Sequence, residues 1–161
     1  RYGGPEHQEL TERPVPEPRP GEVLIEVRAA GVNPADVKRR EGAFGTSAPM
    51  PMPMGLEASG VVVALGEGVT ALAVGEEVLG APARGQGAFA SHTVLRAAEA
   101  VRKPQEISFV DAATLPVAGT TAYDLTHQVE IEAGQSLLVL GAGGAARAVV
   151  FGLIERGVLQ N

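Results

Sequence analysis

The chain has 161 residues, a formal net charge of −6 and no cysteine. The lack of cysteine excludes disulfide bridges and thiolate-bound zinc, and the acidic balance argues against a nucleic-acid phosphate backbone as a partner. No apolar run approaches the roughly 20 residues that a membrane span needs. The hydrophobic share of 45% is that of a globular domain. We therefore expect a globular protein of the cytoplasm that binds neither nucleic acid nor a membrane.

Short strands separated by turns are predicted for the N-terminal part of the chain, which holds many of its 21 glycines and 12 prolines. Residues 22–28 alternate, with Val23, Ile25 and Val27 on one face and Leu24 on the other face beside charged side chains. Further strands are predicted at residues 60–65, 76–79 and 89–95. Strands this short indicate a small β-barrel or sandwich.

Asn33 and Pro34 predict the start of a helix, because asparagine is a favoured N-cap and proline fits the first helical position. We expect this helix to reach about Glu41 and to end at Gly42. In the loop that follows, residues 43–54, proline alternates with all three methionines. This loop is either an apolar plug in the core or the flexible wall of a substrate pocket.

The pattern becomes helical after residue 107. Ser108 and Asp111 form a capping signature, Pro116 should end the helix that they start, and another helix is predicted at residues 120–129. The continuous apolar run at residues 136–140 is typical of a strand buried on both faces of a parallel sheet.

A glycine pattern, Gly141-x-Gly143-x-x-Ala146, lies between this strand and a helix predicted at residues 145–156. Glycines in such a loop let a phosphate approach the backbone N–H groups at the helix N-terminus, and Arg147 adds a cation. Alternatively, these glycines only make a tight turn. A complete dinucleotide site also needs a second strand that reads the ribose about 20 residues on, and the sequence ends at Asn161.

Several stretches resemble one enzyme family. They are residues 31–38, 55–62, 66–70, 74–78 and 115–123. Together they are similar to zinc-independent medium-chain dehydrogenase/reductases of the quinone oxidoreductase-like branch. The resemblance implies a mainly β GroES-like barrel with flanking helices at residues 1–125. It also implies the first strand–turn–helix of a Rossmann-type domain, incomplete, at residues 126–161.

The resemblance also implies an activity. Members of this branch transfer a hydride from NADPH, with NADH as the alternative, to a quinone or an α,β-unsaturated carbonyl, and they are often dimeric. Asn33 would lie near the nicotinamide and the substrate, and Lys38 would polarise a carbonyl oxygen. The alternatives are that Asn33 is only the helix N-cap and that Lys38 is only an exposed lysine.

The cofactor residues are implied in the same way. Thr121 would contact the nicotinamide end, although it could simply be a residue of a first helical turn. The loop would hold the pyrophosphate with four residues and a neighbouring cation, namely Gly141, Gly143, Gly144, Ala145 and Arg147.

Zinc is not expected. In zinc-dependent relatives a cysteine stands at the position of Asn33 and a histidine at the position of Leu56. Glu57 is retained, but a single carboxylate does not hold zinc. The three histidines, at positions 7, 92 and 127, lack metal-ligand spacing.

The tail departs from the family, because residues 141–148 look more like the NADP loop of shikimate dehydrogenases. Three explanations stay open: an engineered fusion, a divergent loop in a truncated chain, or separate segments written end to end. We expect this polypeptide alone to be inactive. The rival interpretations are a non-catalytic GroES-like scaffold or chimera that associates through its stub, and a small-molecule binding module that uses the methionine loop.

Overall fold

The computed structural model describes residues 1–128, 131–132 and 134–158. The chain divides into two compact units, Arg1–Thr114 and Leu115–Asn161. The domain boundary predicted between residues 125 and 126 stays a prediction. After a 3-10 turn at Pro5–His7, the elements are β1 Glu22–Ala30, α1 Pro34–Glu41, β2 Ala58–Leu65, β3 Glu77–Gly80, β4 His92–Arg96, β5 Val101–Arg102, α2 Phe109–Ala112, α3 Leu115–Gln128 and α4 Gly144–Glu155.

The first unit is built on a five-stranded antiparallel sheet in the order β4-β1-β2-β3-β5. An isolated bridge pairs Pro82, just after β3, with Leu95 on β4. Beside it, the Ala83 N–H donates to the Val94 carbonyl at 2.7 Å. The chain after β3 thus returns to the opposite edge of the sheet and curls it towards closure, so the predicted GroES-like barrel is confirmed.

Apolar side chains on both sides of β1 are buried. Val23 and Ile25 belong to one cluster, as the alternation predicted. Leu24 belongs to a second cluster with Ala83 and Val94, and it is only 8% exposed. Leu24, predicted on the face that carries the charged residues, is therefore buried as well, because Ala83 and Val94 pack against it.

Helix α1 follows the prediction at both ends. Asn33 is its N-cap and Pro34 its first residue. Gly42 closes it with φ of 84°, a left-handed conformation that glycine adopts without strain. By contrast, the strand predicted from Phe89 begins only at His92, since β4 pairs with β1 from His92 onwards.

Helix α3 begins earlier than predicted. Ser108 accepts a hydrogen bond from the Asp111 N–H and starts α2, which ends at Ala112. Pro116 does not end a helix but lies in the first turn of α3. Proline is tolerated there because the first helical N–H groups have no partner within the helix. The predicted last residue, Val129, lies outside the described residues.

The strand predicted at residues 136–140 is not formed. These residues have no regular structure, and Leu138 and Leu140 are 81% and 86% exposed. A strand needs a neighbour for its backbone hydrogen bonds, and no described residue pairs with this run. The turn and helix that follow are present as predicted, with Gly157 at φ of 69° after α4. No helix within the described residues has both the length and the apolarity needed to cross a bilayer.

Candidate active site

The site in the first unit is built around Asn33, the residue that joins β1 to α1. Its backbone N–H donates to Asp36 Oδ2 at 2.9 Å, one half of a capping box. Its side-chain Nδ2 donates to Glu57 Oε1 at 2.8 Å. Asn33 is half-buried, whereas both carboxylates are buried. The backbone and the amide of Asn33 are therefore each fixed by a separate carboxylate.

Glu57 comes directly before β2 and is 2% exposed. Its carbonyl accepts a bond from the Gly31 N–H at 3.3 Å. A Cβ atom at Gly31 would lie 2.1 Å from Glu57 Oε1, so only glycine leaves room for this carboxylate. From the sequence, Glu57 was expected only to be an insufficient zinc ligand, and its contact with Asn33 was not predicted. The available signal was a carboxylate placed just in front of an apolar strand.

Lys38 lies on α1, beyond Asn33, and is exposed. Its carbonyl accepts a bond from the Ala43 N–H, which helps to end the helix. Its ammonium group has no hydrogen bond or ion pair with any residue that the structure describes. The ammonium is thus available to a ligand, as the interpretation of Lys38 as a polarising group requires.

A cleft of about 310 Å³ opens beside the end of α1. Tyr2, Arg39, Phe44, Met52 and Leu56 contribute to its lining. The Tyr2 hydroxyl accepts a bond from the Ala48 N–H at 3.1 Å and ties the N-terminal segment to this loop. Met52 is half-buried, and its place in the cleft favours the interpretation of the methionine loop as a pocket wall.

The described residues do not bring potential metal ligands together into a cluster. Across 1–128, 131–132 and 134–158, no group of three His, Cys, Asp or Glu side chains could hold a metal ion. At the two positions that resemble zinc-ligand positions, Asn33 is bound to carboxylates and Leu56 lines the cleft.

The glycine loop belongs to the second unit. Gly141 has φ of 112°, which strongly favours glycine. Gly143 is the N-cap of α4 and provides no side-chain cap, and Gly144 is the first helical residue. A Cβ atom at Gly141 or Gly143 would meet nothing within 4 Å. Ala145 and Arg147 are exposed. The loop is therefore open, with uncapped N–H groups at the start of a helix.

Thr121 also lies in the second unit, on α3, and is exposed. Its hydroxyl donates to the Val117 carbonyl at 2.7 Å. The proton of this hydroxyl is thus engaged, and the oxygen keeps a lone pair that can accept a bond from a ligand. The structure accordingly groups Asn33 and Lys38 in the first unit, and Thr121 with the loop residues in the second.

Residues 19–105 match the alcohol dehydrogenase GroES-like domain. The chain is 37% identical over 150 residues to a 2-methylene-furan-3-one reductase from Solanum lycopersicum, covering 88% of this chain and 38% of the relative. It is 39% identical over 160 residues to an NADPH-dependent alkenal/one oxidoreductase, chloroplastic, from Arabidopsis thaliana, covering 92% and 41%. The solved quinone oxidoreductase from Coxiella burnetii superposes with a TM-score of 0.88 at 31% identity, covering 97% of this chain and 51% of that chain. The chain thus spans about two-fifths of these curated relatives.

Proposed function

Because the chain belongs to the alcohol dehydrogenase GroES-like domain family, in its quinone oxidoreductase type, we propose that the protein is an NADPH-dependent reductase of quinones or α,β-unsaturated carbonyls. The observation that carries this proposal is the similarity to an NADPH-dependent alkenal/one oxidoreductase over 92% of this chain. Since the chain covers 41% of that relative, the activity proposed is that of the whole protein.

The glycine loop fits a dinucleotide phosphate. Its glycines leave open space, and the first turn of α4 offers N–H groups that no side chain caps. Such a helix N-terminus favours an anion, and the exposed Arg147 adds positive charge. Gly141, Gly143, Gly144, Ala145 and Arg147 would hold the pyrophosphate, and Thr121 would accept a hydrogen bond at the nicotinamide end. When bound, NADPH supplies a hydride from C4 of its nicotinamide.

Lys38 would act on the acceptor. Hydride addition to the electron-poor carbon of a quinone or enone leaves negative charge on the carbonyl oxygen. A hydrogen bond from the Lys38 ammonium to that oxygen stabilises the charge as it develops. Asn33 would orient the reacting groups from the opposite end of α1, where its amide is already fixed. Protons from water complete the reduction. The enolate of an enone gains its proton at the α-carbon to give the saturated ketone, whereas the adduct of a quinone gains protons on its oxygens and loses the ring C–H proton to give the hydroquinone.

The test measures the loss of NADPH absorbance in the full-length protein with 1,4-benzoquinone and with 3-buten-2-one as acceptors. Lys38→Met keeps the length of the side chain and removes its charge. We expect it to lower kcat by about 10- to 1000-fold, the range for removing one donor to a developing oxyanion, and to leave the Kd of NADPH unchanged.

The matched control is Arg84→Met, which removes an exposed cation in a turn of the same unit and should leave kcat as in the wild type. A wild-type protein that oxidises NADPH with neither acceptor contradicts the proposed function. A Lys38→Met variant with unchanged kcat contradicts only the role of Lys38.

A further inference from the structure

Glu57 is a carboxylate removed from water, which is unfavourable unless hydrogen bonds replace the lost hydration. It is 2% exposed, and the Asn33 amide donates to it at 2.8 Å. A hydrogen bond to an ionised acceptor is stronger than one between neutral groups. If the only need were to tie the loop to β2, an apolar side chain of similar volume could do so without burying a charge.

The surrounding loop is shaped to admit this carboxylate. A Cβ atom at Gly31 would lie 2.1 Å from Oε1, 2.6 Å from Cδ and 2.7 Å from Cγ of Glu57. The Gly31 N–H also donates to the Glu57 carbonyl. The backbone and the carboxylate of Glu57 therefore both contact residues 31–33, the segment that leads into α1.

Asn33 is held in place by these contacts. Its backbone is held by Asp36 and its amide by Glu57, through two different bonds at 2.9 and 2.8 Å. A residue anchored at both its backbone and its side-chain amide has lost most of its rotamer freedom before any ligand arrives, so that cost is not repeated on binding. Of the two carboxylates, that of Glu57 binds the side-chain amide and that of Asp36 binds the backbone N–H, so Glu57 is the carboxylate that orients the amide.

We propose that Glu57 is a positioning residue that acts through Asn33, holding the amide in the orientation that the bound reactants require. This inference rests on the proposed function. It assigns to the Asp36 carboxylate the different task of starting α1, because that carboxylate accepts from the Asn33 backbone N–H.

The test is a double-mutant cycle in the full-length protein with NADPH and 1,4-benzoquinone. The variants are Glu57→Gln, which keeps the shape of the side chain and removes its charge, Asn33→Ala, and the two combined. We expect Glu57→Gln to lower kcat about tenfold, because the Gln oxygen still accepts from the Asn33 amide but forms a weaker bond than the charged carboxylate. In the Asn33→Ala background the same change should alter kcat by less than about twofold, because the group that Glu57 positions is gone.

A merely structural role predicts a different result. If Glu57 only stabilised the fold, Glu57→Gln would lower the melting temperature and would reduce kcat by the same factor in both backgrounds. Equal factors, or a Glu57→Gln variant as active as the wild type, overturn the inference. Glu26→Gln, on a partly exposed side chain that pairs with Arg28, is the matched control and should change nothing in the cycle.

A second readout is independent of turnover. The side-chain NH₂ resonances of Asn33 in a ¹⁵N-labelled protein should shift in Glu57→Gln. In Asp36→Asn, the backbone N–H resonance of Asn33 should shift instead. Unchanged side-chain resonances in Glu57→Gln overturn the positioning role. Absence of NADPH oxidation by the wild type is a separate outcome, which overturns the proposed function and with it the catalytic part of this inference.

Discussion

The substitution Gly31→Ala tests the packing on which the candidate site depends. A methyl group there would lie 2.1 Å from Glu57 Oε1, well inside the 3.0 Å that real Cβ contacts respect. Glu57 is buried and has no open space to turn into, so it must give up its bond to Asn33. A lost hydrogen bond to a charged group costs about 1.5–3 kcal/mol, and overpacking adds about 1–3 kcal/mol. We expect a loss of roughly 2.5–6 kcal/mol in the free energy of unfolding, a large part of the ~5–15 kcal/mol of a typical domain.

The assay is urea unfolding monitored by circular dichroism. The effect of Gly31→Ala is measured in the wild type and again in the Glu57→Ala background. That change removes the three atoms that a methyl group at Gly31 would strike, so Gly31→Ala should then cost about 1 kcal/mol or less. Gly80→Ala is the matched control, because its new Cβ would meet a side-chain atom, Leu95 Cδ1, at 3.3 Å and would otherwise make ordinary contacts at 3.6 and 3.7 Å. An equal cost of Gly31→Ala with and without the Glu57 side chain would refute the reasoning.

The remaining predictions concern one ion pair and one helix. The pKa of Glu76 is lowered from its usual 4.5 by hydrogen bonds from the Arg102 side chain and the Ala73 N–H. A carboxyl whose pKa is lowered by folding stabilises the protein at pH values above its ordinary pKa. That stability is lost as the pH falls through the folded-state pKa. The urea midpoint of Glu76→Gln should therefore fall less than that of the wild type between about pH 5 and about pH 3. An equal fall in the two proteins would contradict this prediction. Gly152→Ala, inside α4 where a Cβ would meet nothing within 4 Å, should raise stability by up to about 1 kcal/mol, seen as a higher melting temperature. A lower melting temperature would show that this face of α4 is tightly packed.

The sequence alone determined the elements whose causes are local. Helix α1 begins at the N-cap Asn33 and ends at Gly42, whose positive φ few other residues adopt. The strand β1 and the glycine turn before α4 were likewise predicted from the residue pattern alone. The family followed from short motifs spread along the chain, and the matched domain confirms it. The roles of the site residues, and the likeness of residues 141–148 to shikimate dehydrogenases, stay predictions.

The tertiary structure decided what depends on distant partners. Asn33 and Glu57 are 24 positions apart, and only the pairing of β1 with β2 brings their side chains to 2.8 Å. Leu24 is buried because the sheet curls, which its alternating neighbours could not reveal. The run at residues 136–140 has the composition of a buried strand, yet it forms none, since no described strand lies beside it. Side-chain pattern sets what a segment can become, but backbone hydrogen bonds and burial require the partner that the fold supplies.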